Sequence, residues 1–335
     1  RLTMRFYLLA PLAFVFLLSG CADDDSGFGP DEDLAPQTFG IRHDRDLDQY
    51  ETIGANQTPY DSAEYPDFSA VVAFSYSLDG SDEQEFVASG TLVRPNWILT
   101  AGHNFFDEDQ EAPAPPGGIE ILVGPDPNIP RGTYRVAQIV FHPRWNDDFP
   151  TAYDLCLVRL ADPITTIEPA NLNLEPSEDL GSTVWYSGFG DYTEQEGEDP
   201  DAFSLRHALE NVLDRIGTDT FATVGGISYP GGVLAFDFDS PFGDINALGD
   251  GYINEEEAEL GRGTSTAAAT AFEGTTVEGD SGGPLFARLD GVWKVVGVLS
   301  QGINEPVEGH VDGDYGDISI FVRTAAHRQW IASVL

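Results

Sequence analysis

Eight residues constrain this chain more than any other stretch: Glu278-Gly279-Asp280-Ser281-Gly282-Gly283-Pro284-Leu285. The glycines at 279, 282 and 283 admit backbone angles that a side chain forbids, so the Ser281 hydroxyl can stand at a tight turn with free amides beside it. From Pro284 the chain runs into apolar residues that read as a strand. This is nucleophile geometry, but a serine hydroxyl is weak at neutral pH. It needs a general base, and the base needs a group to orient it.

Two stretches supply them. Leu99-Thr100-Ala101-Gly102-His103 closes the apolar run that begins at Trp97 and places an imidazole just past an expected strand. Tyr153-Asp154 places a carboxylate at the mouth of the nearly continuous apolar run Leu155 to Leu160. T-A-G-H, D-x-x-L and G-D-S-G-G-P, in the order His, Asp, Ser, together resemble the trypsin/chymotrypsin-like serine proteases. The resemblance implies His103 as base, Asp154 as its orienting carboxylate, Ser281 as nucleophile, and an oxyanion hole from the N–H groups of Gly279 and Ser281. It implies no metal or organic cofactor. It further implies that Ser300 hydrogen-bonds the aspartate and that Gly302 pairs with substrate backbone.

By the same resemblance Thr275, six before the serine, sits with Thr276 at the base of the S1 pocket. No carboxylate waits there for Arg or Lys, so a neutral P1 residue, apolar or small, is expected; Asp317 is the acid that a shifted loop could bring near. In many family members a new N-terminus, usually I-V-G-G, pairs its ammonium with the aspartate preceding the serine. Here that aspartate is Asp280, and Thr52-Ile53-Gly54-Ala55 is the nearest match, preceded by Glu51 rather than a basic residue. Asp280 should meet either that ammonium, after a cut near Thr52, or an arginine or hydrogen-bond network in an uncut chain. The family's disulfides are absent: Asn104 follows His103, and Val277 stands four before the serine.

With 335 residues, 41% of them hydrophobic, 36 Gly and 22 Pro, the chain can bury a full core and suits a turn-rich globular protein. Its charge is one-sided: 57 acidic residues stand against 16 Lys plus Arg, for a formal net charge of -41, and Lys294 is the single lysine. Such a surface repels phosphate backbones, which argues against nucleic acid; peptide or protein substrates are the partners that the resemblance implies, and a monomer is expected. The acidity suits plain solubility or adaptation to high salt.

Arg1 and Arg5, the apolar stretch Phe6 to Leu18 and small residues before Cys21 form an export signal over residues 1–21, too short for a comfortable membrane span. Leu18-Ser19-Gly20-Cys21 resembles a bacterial lipoprotein cleavage box, which would make Cys21 the lipidated first residue of the mature chain at the cell envelope. The alternative is an ordinary secretory signal. Residues 22–51, acidic and poor in aliphatics, read as a solvated tether or propeptide.

From about residue 52 short apolar runs alternate with turn clusters: 69–76, 86–93, 97–100, 119–123, 134–141 and 155–160, then 183–187, 222–224, 266–272, 284–287, 292–300 and 318–322. The pattern is all-β. The resemblance makes it two six-stranded antiparallel β-barrels, about 52–165 and 172–335, with a helix from Thr324 to the end. Asp154 and Ser281 lie 127 positions apart, and little aligns between about 213 and 272, so an insertion is expected there. Within it Asn246 to Glu257 places oxygen ligands as an EF-hand loop would, but Leu248 stands at the third position; a helix start with Asn254 as cap and Glu257 closing a capping box is the favoured reading, and calcium the other.

Among the remaining histidines, His142 reads as structural, and His43, His207, His310 and His327 lack the Ala-Gly context of a base. Gly279-Asp280-Ser281-Gly282-Gly283 also fits the G-x-S-x-G elbow of α/β-hydrolases, with Asp317 and His327 in that fold's order, but the elbow needs a helix after the serine and βα alternation before it. A non-catalytic protease-like binding module is the alternative from outside enzymes.

Overall fold

The continuous apolar runs become strands because both of their faces are buried. Strand β1 (Val71–Tyr76) is buried at all six positions. Its alternate side chains Val72, Phe74 and Tyr76 enter one core, while Val71 and Ala73 join a second layer with Trp185 and Phe286. This is a computed structural model, and it describes residues 39–55, 64–80, 86–107, 112–145, 151–192, 204–217, 232–249, 260, 263, 265–303 and 313–335. Residues 37–335 form one compact unit.

After β1 come β2 (Phe86–Arg94), β3 (Trp97–Thr100), a two-residue ribbon of β4 (Phe106–Asp107) and β5 (Ala112–Pro113), β6 (Ile119–Val123), β7 (Gly132–Phe141) and β8 (Cys156–Leu160). Six of them close an antiparallel barrel in the order β1-β2-β3-β8-β7-β6. Phe74, Leu92, Ile98, Phe105, Ile121 and Val158 fill it.

The second half holds β9 (Thr183–Gly188), β10 (His207–Val212), β11 (Arg215–Ile216), β12 (Val233–Asp237), β13 (Pro284–Leu289), β14 (Val292–Ile303) and β15 (Ile318–Arg323). They form one sheet in the order β10-β9-β13-β14-β15-β12-β11. Its end strands, β10 and β11, are consecutive pieces of one chain that turns through Leu213-Asp214. The Asp214 N–H reaches the Ala235 carbonyl (3.1 Å), and the Asn211 amide reaches that of Asp237 (2.8 Å). The expected second six-stranded barrel is thus six chain segments, one of them bent, whose ladder does not close. Asp290 (φ 52°) and Gly291 (φ 79°) make the two-residue turn from β13 to β14 with the left-handed angles that such hairpins require.

Val93, Leu99, Leu155, Leu157, Val298 and Val322 pack between the two halves. Helix α2 (Arg328–Val334) follows a short 3-10 turn over Thr324–His327 and buries Ile331, as expected for the terminal helix.

Two expectations are corrected and one alternative is set aside. Thr266 to Phe272 is loop rather than strand; its small side chains offer little to a sheet, and the Thr270 N–H is bound by the Glu273 carboxylate instead. No helix follows Ser281, which leads into β13, so the α/β-hydrolase reading fails. The stretch up to residue 51 is not all tether: helix α1 (Leu47–Gly54) buries Tyr50 and Ile53, and the boundary at Thr52 falls inside it. A capping box of Asp46 and Gln49 starts this helix.

The leader, Cys21, Ala222 to Val224, His310 and residues 250–257 of the calcium-like loop lie outside the described residues. Within that loop, Leu248 is buried with its N–H on Asp237 Oδ2 (2.7 Å). Among the described residues no helix is long and apolar enough to cross a membrane, and no cluster of three or more His, Cys, Asp or Glu is arranged to hold a metal.

Candidate active site

The register of one strand pair brings the imidazole and the carboxylate together. β3 and β8 run antiparallel with Thr100 opposite Cys156. His103, just past the end of β3, and Asp154, just before the start of β8, therefore emerge at the same end of the barrel. Asp154 is buried; its Oδ1 accepts the His103 backbone N–H (2.8 Å) and its Oδ2 lies 2.6 Å from His103 Nδ1. The Ser300 hydroxyl, from β14, donates to the same Oδ2 (2.6 Å). Burial alone would raise the Asp154 carboxyl, but the charge of His103 and these hydrogen bonds outweigh it and hold the pKa below its ordinary value. The imidazole is left about a third exposed, its side chain at 30%.

Ser281 reaches this corner because β13 begins just after it and β14 passes it at Leu299. The Gly282 N–H binds the Leu299 carbonyl and the Leu299 N–H binds that of Gly283, each at 2.9 Å. The Ser281 carbonyl accepts the Ser89 N–H (2.9 Å) and the Asn104 side-chain amide (3.1 Å). Asn104, standing where the family pattern has cysteine, thus ties the histidine turn to the serine turn by hydrogen bonds. Gly279 (φ 90°) and Gly282 (φ 87°) take left-handed angles, and a Cβ on Gly282 would lie 2.0 Å from Thr100 Oγ1.

The amides of this turn divide into two groups. Those of Asp280 and Gly283 are bonded within it, to Val277 O (3.1 Å) and Asp280 O (2.9 Å), and that of Gly282 to β14. Among the described residues those of Gly279 and Ser281 donate to no acceptor. Two unspent donors flanking a serine are what an oxyanion needs.

Asp280 is fully buried. Its Oδ1 accepts the Gly190 N–H (2.8 Å) and lies 3.2 Å from His207 Nε2; its Oδ2 accepts the Tyr192 hydroxyl (2.7 Å) and the Val277 N–H (3.1 Å). Of the two alternatives for Asp280, hydrogen-bonding side chains and amides are what surrounds it here, and Thr52 and Ile53 sit in α1.

Beyond Val298, where pairing to β13 stops, β14 continues through Ser300 and Gly302 along β15, with Gly302 opposite Ser319. Gly302 is exposed on this stretch. Thr275 and Thr276 are buried, and their hydroxyls meet the Ser319 hydroxyl at 3.0 and 2.9 Å. The Asp317 carboxylate accepts the Gly313 N–H (2.7 Å), which commits it to its own turn.

His43, His142 and His327 make their described contacts with other residues. His142 stacks on Tyr153, and its Nε2 lies 3.3 Å from His327 Nδ1. Burial lowers both, His142 to about 4 and His327 to about 3. His43 stacks on Phe242. Sequence reasoning missed Tyr192, His207 and Ser319 as neighbours of the site. Ser319 could have been sought as the polar interruption of an apolar strand.

With that geometry described, comparison with known proteins is informative. The family profile described as Trypsin matches residues 61–224, a span that holds His103 and Asp154 and ends inside the poorly aligned stretch. The chain is similar to chymotrypsin-like elastase family member 1 of Canis lupus familiaris, 26% identical over 260 residues covering 73% of this chain and 80% of that one. It is similar to trypsin of Simulium vittatum, 27% identical over 234 residues covering 68% and 74%. It also matches chymotrypsin-like elastase family member 1 of Homo sapiens, 26% identical over 278 residues covering 79% and 86%. The paired β-barrel halves and the terminal helix are a chymotrypsin-like fold, and these matches make the chain similar to the trypsin family.

Proposed function

We propose that this chain is a serine endopeptidase in which Ser281 attacks the peptide carbonyl, His103 takes its proton and returns it to the leaving amine, and Asp154 fixes the imidazole tautomer. The observation that carries the reading is the use made of Asp154, a buried carboxylate whose described bonds go to His103 and to the serine that steadies it. The Gly279 and Ser281 amides receive the oxyanion, each such donor being worth ~3 kcal/mol in the transition state. Substrate backbone pairs along Ser300 to Gly302, adding a strand to the open edge of β14.

The base of the S1 pocket is three neutral hydroxyls, Thr275, Thr276 and Ser319, which supports a small or apolar P1 residue and gives Arg or Lys no counter-charge. The names of the relatives, elastase and trypsin, fit an endopeptidase of either preference. Export through residues 1–21 and lipidation at Cys21 belong to the proposal on sequence grounds alone.

Profiling the purified chain on a mixed peptide library, beside Ser281→Ala and His103→Ala, tests the reading. Each variant should keep the fold and lose on the order of 10⁴-fold or more in kcat, because the residues act as a unit. Wild-type turnover in either folded variant refutes the assignment.

A further inference from the structure

The Asp280 carboxylate shows no space left for an incoming cation. Its two oxygens already accept three hydrogen bonds, from the Gly190 N–H, the Val277 N–H and the Tyr192 hydroxyl. His207 Nε2 stands 3.2 Å from Oδ1 without hydrogen-bond geometry, so three of the about four lone-pair sites of the carboxylate are spent and the imidazole stands beside the rest. The packing is equally full. A Cβ on Gly188 would come within 2.3 Å of Asp280 Oδ1, and one on Gly190 within 2.5 Å of its Cγ. The Tyr192 ring lies against His207 with centroids 4.1 Å apart. Burial and the Asp280 charge push the Tyr192 phenol well above its ordinary range, so it stays a donor.

These partners are in turn fixed by the segment before the first barrel. A Cβ on Gly40 would fall 2.5 Å from the Tyr192 ring; the Gly40 carbonyl accepts the Thr275 N–H (2.8 Å) and its N–H donates to Gly313 (2.7 Å). At the far end of the segment Arg206, next to His207, donates to the Gly54 carbonyl closing α1 (2.8 Å) and to Val71 of β1 (3.0 Å). Residues 39–55 therefore brace Tyr192 from one side and the Arg206-His207 step from the other.

We propose that Tyr192 and His207 are positioning residues that hold Asp280, and through it the Gly279 and Ser281 amides, in working arrangement in the uncut chain, with residues 39–55 a permanent brace rather than a propeptide to be removed. The proposal rests on the endopeptidase reading. It assigns Asp280 to side chains of the second sheet half in place of a freed N-terminus. Cleavage at Thr52 would break the helix that buries Ile53 and would unseat Arg206.

The test uses the full chain, Tyr192→Phe, His207→Gln and Ser281→Ala. Wild type is labelled with a fluorophosphonate and its intact mass read; kcat, KM and melting temperature are measured for every folded variant. The labelled, active wild-type species should retain residues 39–55. Each positioning variant should lose on the order of 10- to 100-fold in kcat, with KM held within about threefold, as expected for a misplaced oxyanion donor. A purely structural role would lower the melting temperature and leave kcat per folded molecule unchanged. That result in either variant, or label found only on chains that begin after residue 51, overturns the proposal. If Tyr192→Phe does not fold, His207→Gln and the mass of the labelled species decide. An idle wild type, indistinguishable from Ser281→Ala, overturns the endopeptidase reading and this proposal with it. An active wild type with unaffected variants overturns this proposal alone.

Discussion

Replacing Glu273 with Gln should change the sign of its effect on stability between pH 5 and pH 9. Glu273 is buried just before the Thr275 turn; its carboxylate accepts the Thr270 N–H and, at 3.4 Å, the Asp239 N–H. Burial drives its pKa up to about 7 from an ordinary 4.5; the Thr270 and Asp239 bonds pull it down, and the Asp237 charge adds to the rise. A folded pKa above the unfolded one means that the folded chain keeps a proton the unfolded chain has released. The resulting stability is fully present below pH 4.5 and is lost as pH rises through about 7. The gap corresponds to ~3 kcal/mol at ~1.4 kcal/mol per pH unit. Glutamine never ionises, but it keeps one acceptor oxygen where the carboxylate has two, which costs ~1–2 kcal/mol at any pH. At pH 5, where the wild type has already given up ~1 of those ~3 kcal/mol, Glu273→Gln should be the less stable chain by up to ~1 kcal/mol; at pH 9, where all of it is gone, the variant should be the more stable by ~1–2 kcal/mol. Urea denaturation at the two pH values, with equal slopes confirming comparable transitions, reads the difference from the midpoints. Destabilisation of the same size at both pH values would refute the reasoning, because it would mean that Glu273 is not held protonated by its burial.

Two further substitutions probe the site. Ser300→Ala removes a hydroxyl donor to a carboxylate, a bond worth about 1.5–3 kcal/mol, and should lower kcat/KM on the order of 10-fold. Because Asp154 is held below its ordinary value, its stability is present above the unfolded pKa and lost as pH falls through the folded one, so the same variant should acid-denature at a higher pH; an unmoved acid midpoint by tryptophan fluorescence counts against the Ser300 bond. Ser319→Gly clears the hydroxyl between Thr275 and Thr276 and should raise kcat/KM for Phe over Ala at P1, read on paired peptide substrates; an unchanged ratio removes Ser319 from the pocket base.

The residues proposed for the chemistry were legible because each sits in a local motif next to the end of a largely buried strand: β3, β8 and β13 run close to where their sequences say they should. β10 was not legible. His207-Ala208-Leu209-Glu210-Asn211-Val212 lacks the β-branched content of a strand, and Asn211 is accepted in its interior only because its amide is spent on the Asp237 and Gly274 carbonyls. Val233 to Asp237 is apolar at four of five positions and could have been found. Helix α1 is polar along most of its length, so hydrophobic periodicity passed it over, although Asp46 and Gln49 carry the spacing of a capping box. The grouping of Tyr192, His207 and Asp280 has no sequence signature, since sheet topology alone brings these residues together.

The acidic composition shows how far such a reading reaches. Read as charge, 57 carboxyl-bearing side chains describe a solvated surface, yet Asp154, Glu178, Asp214, Asp237, Asp239, Glu273, Asp280 and Asp317 are all buried. They have two fates. Asp154 has bonded donors and is held down, Glu178 is paired with Arg323, Asp280 accepts three hydrogen bonds, and Asp317 accepts the Gly313 N–H. Asp214, Asp237, Asp239 and Glu273 gather in one region where Arg215 is the buried cation nearby, and burial together with their neighbours holds all four above the ordinary carboxylate range. Carboxyls can share a core in this way only while some of them keep their protons. Formal net charge at pH 7 therefore overstates the charge the folded chain carries, and the Asp154 corner and this cluster pull stability in opposite directions as pH rises.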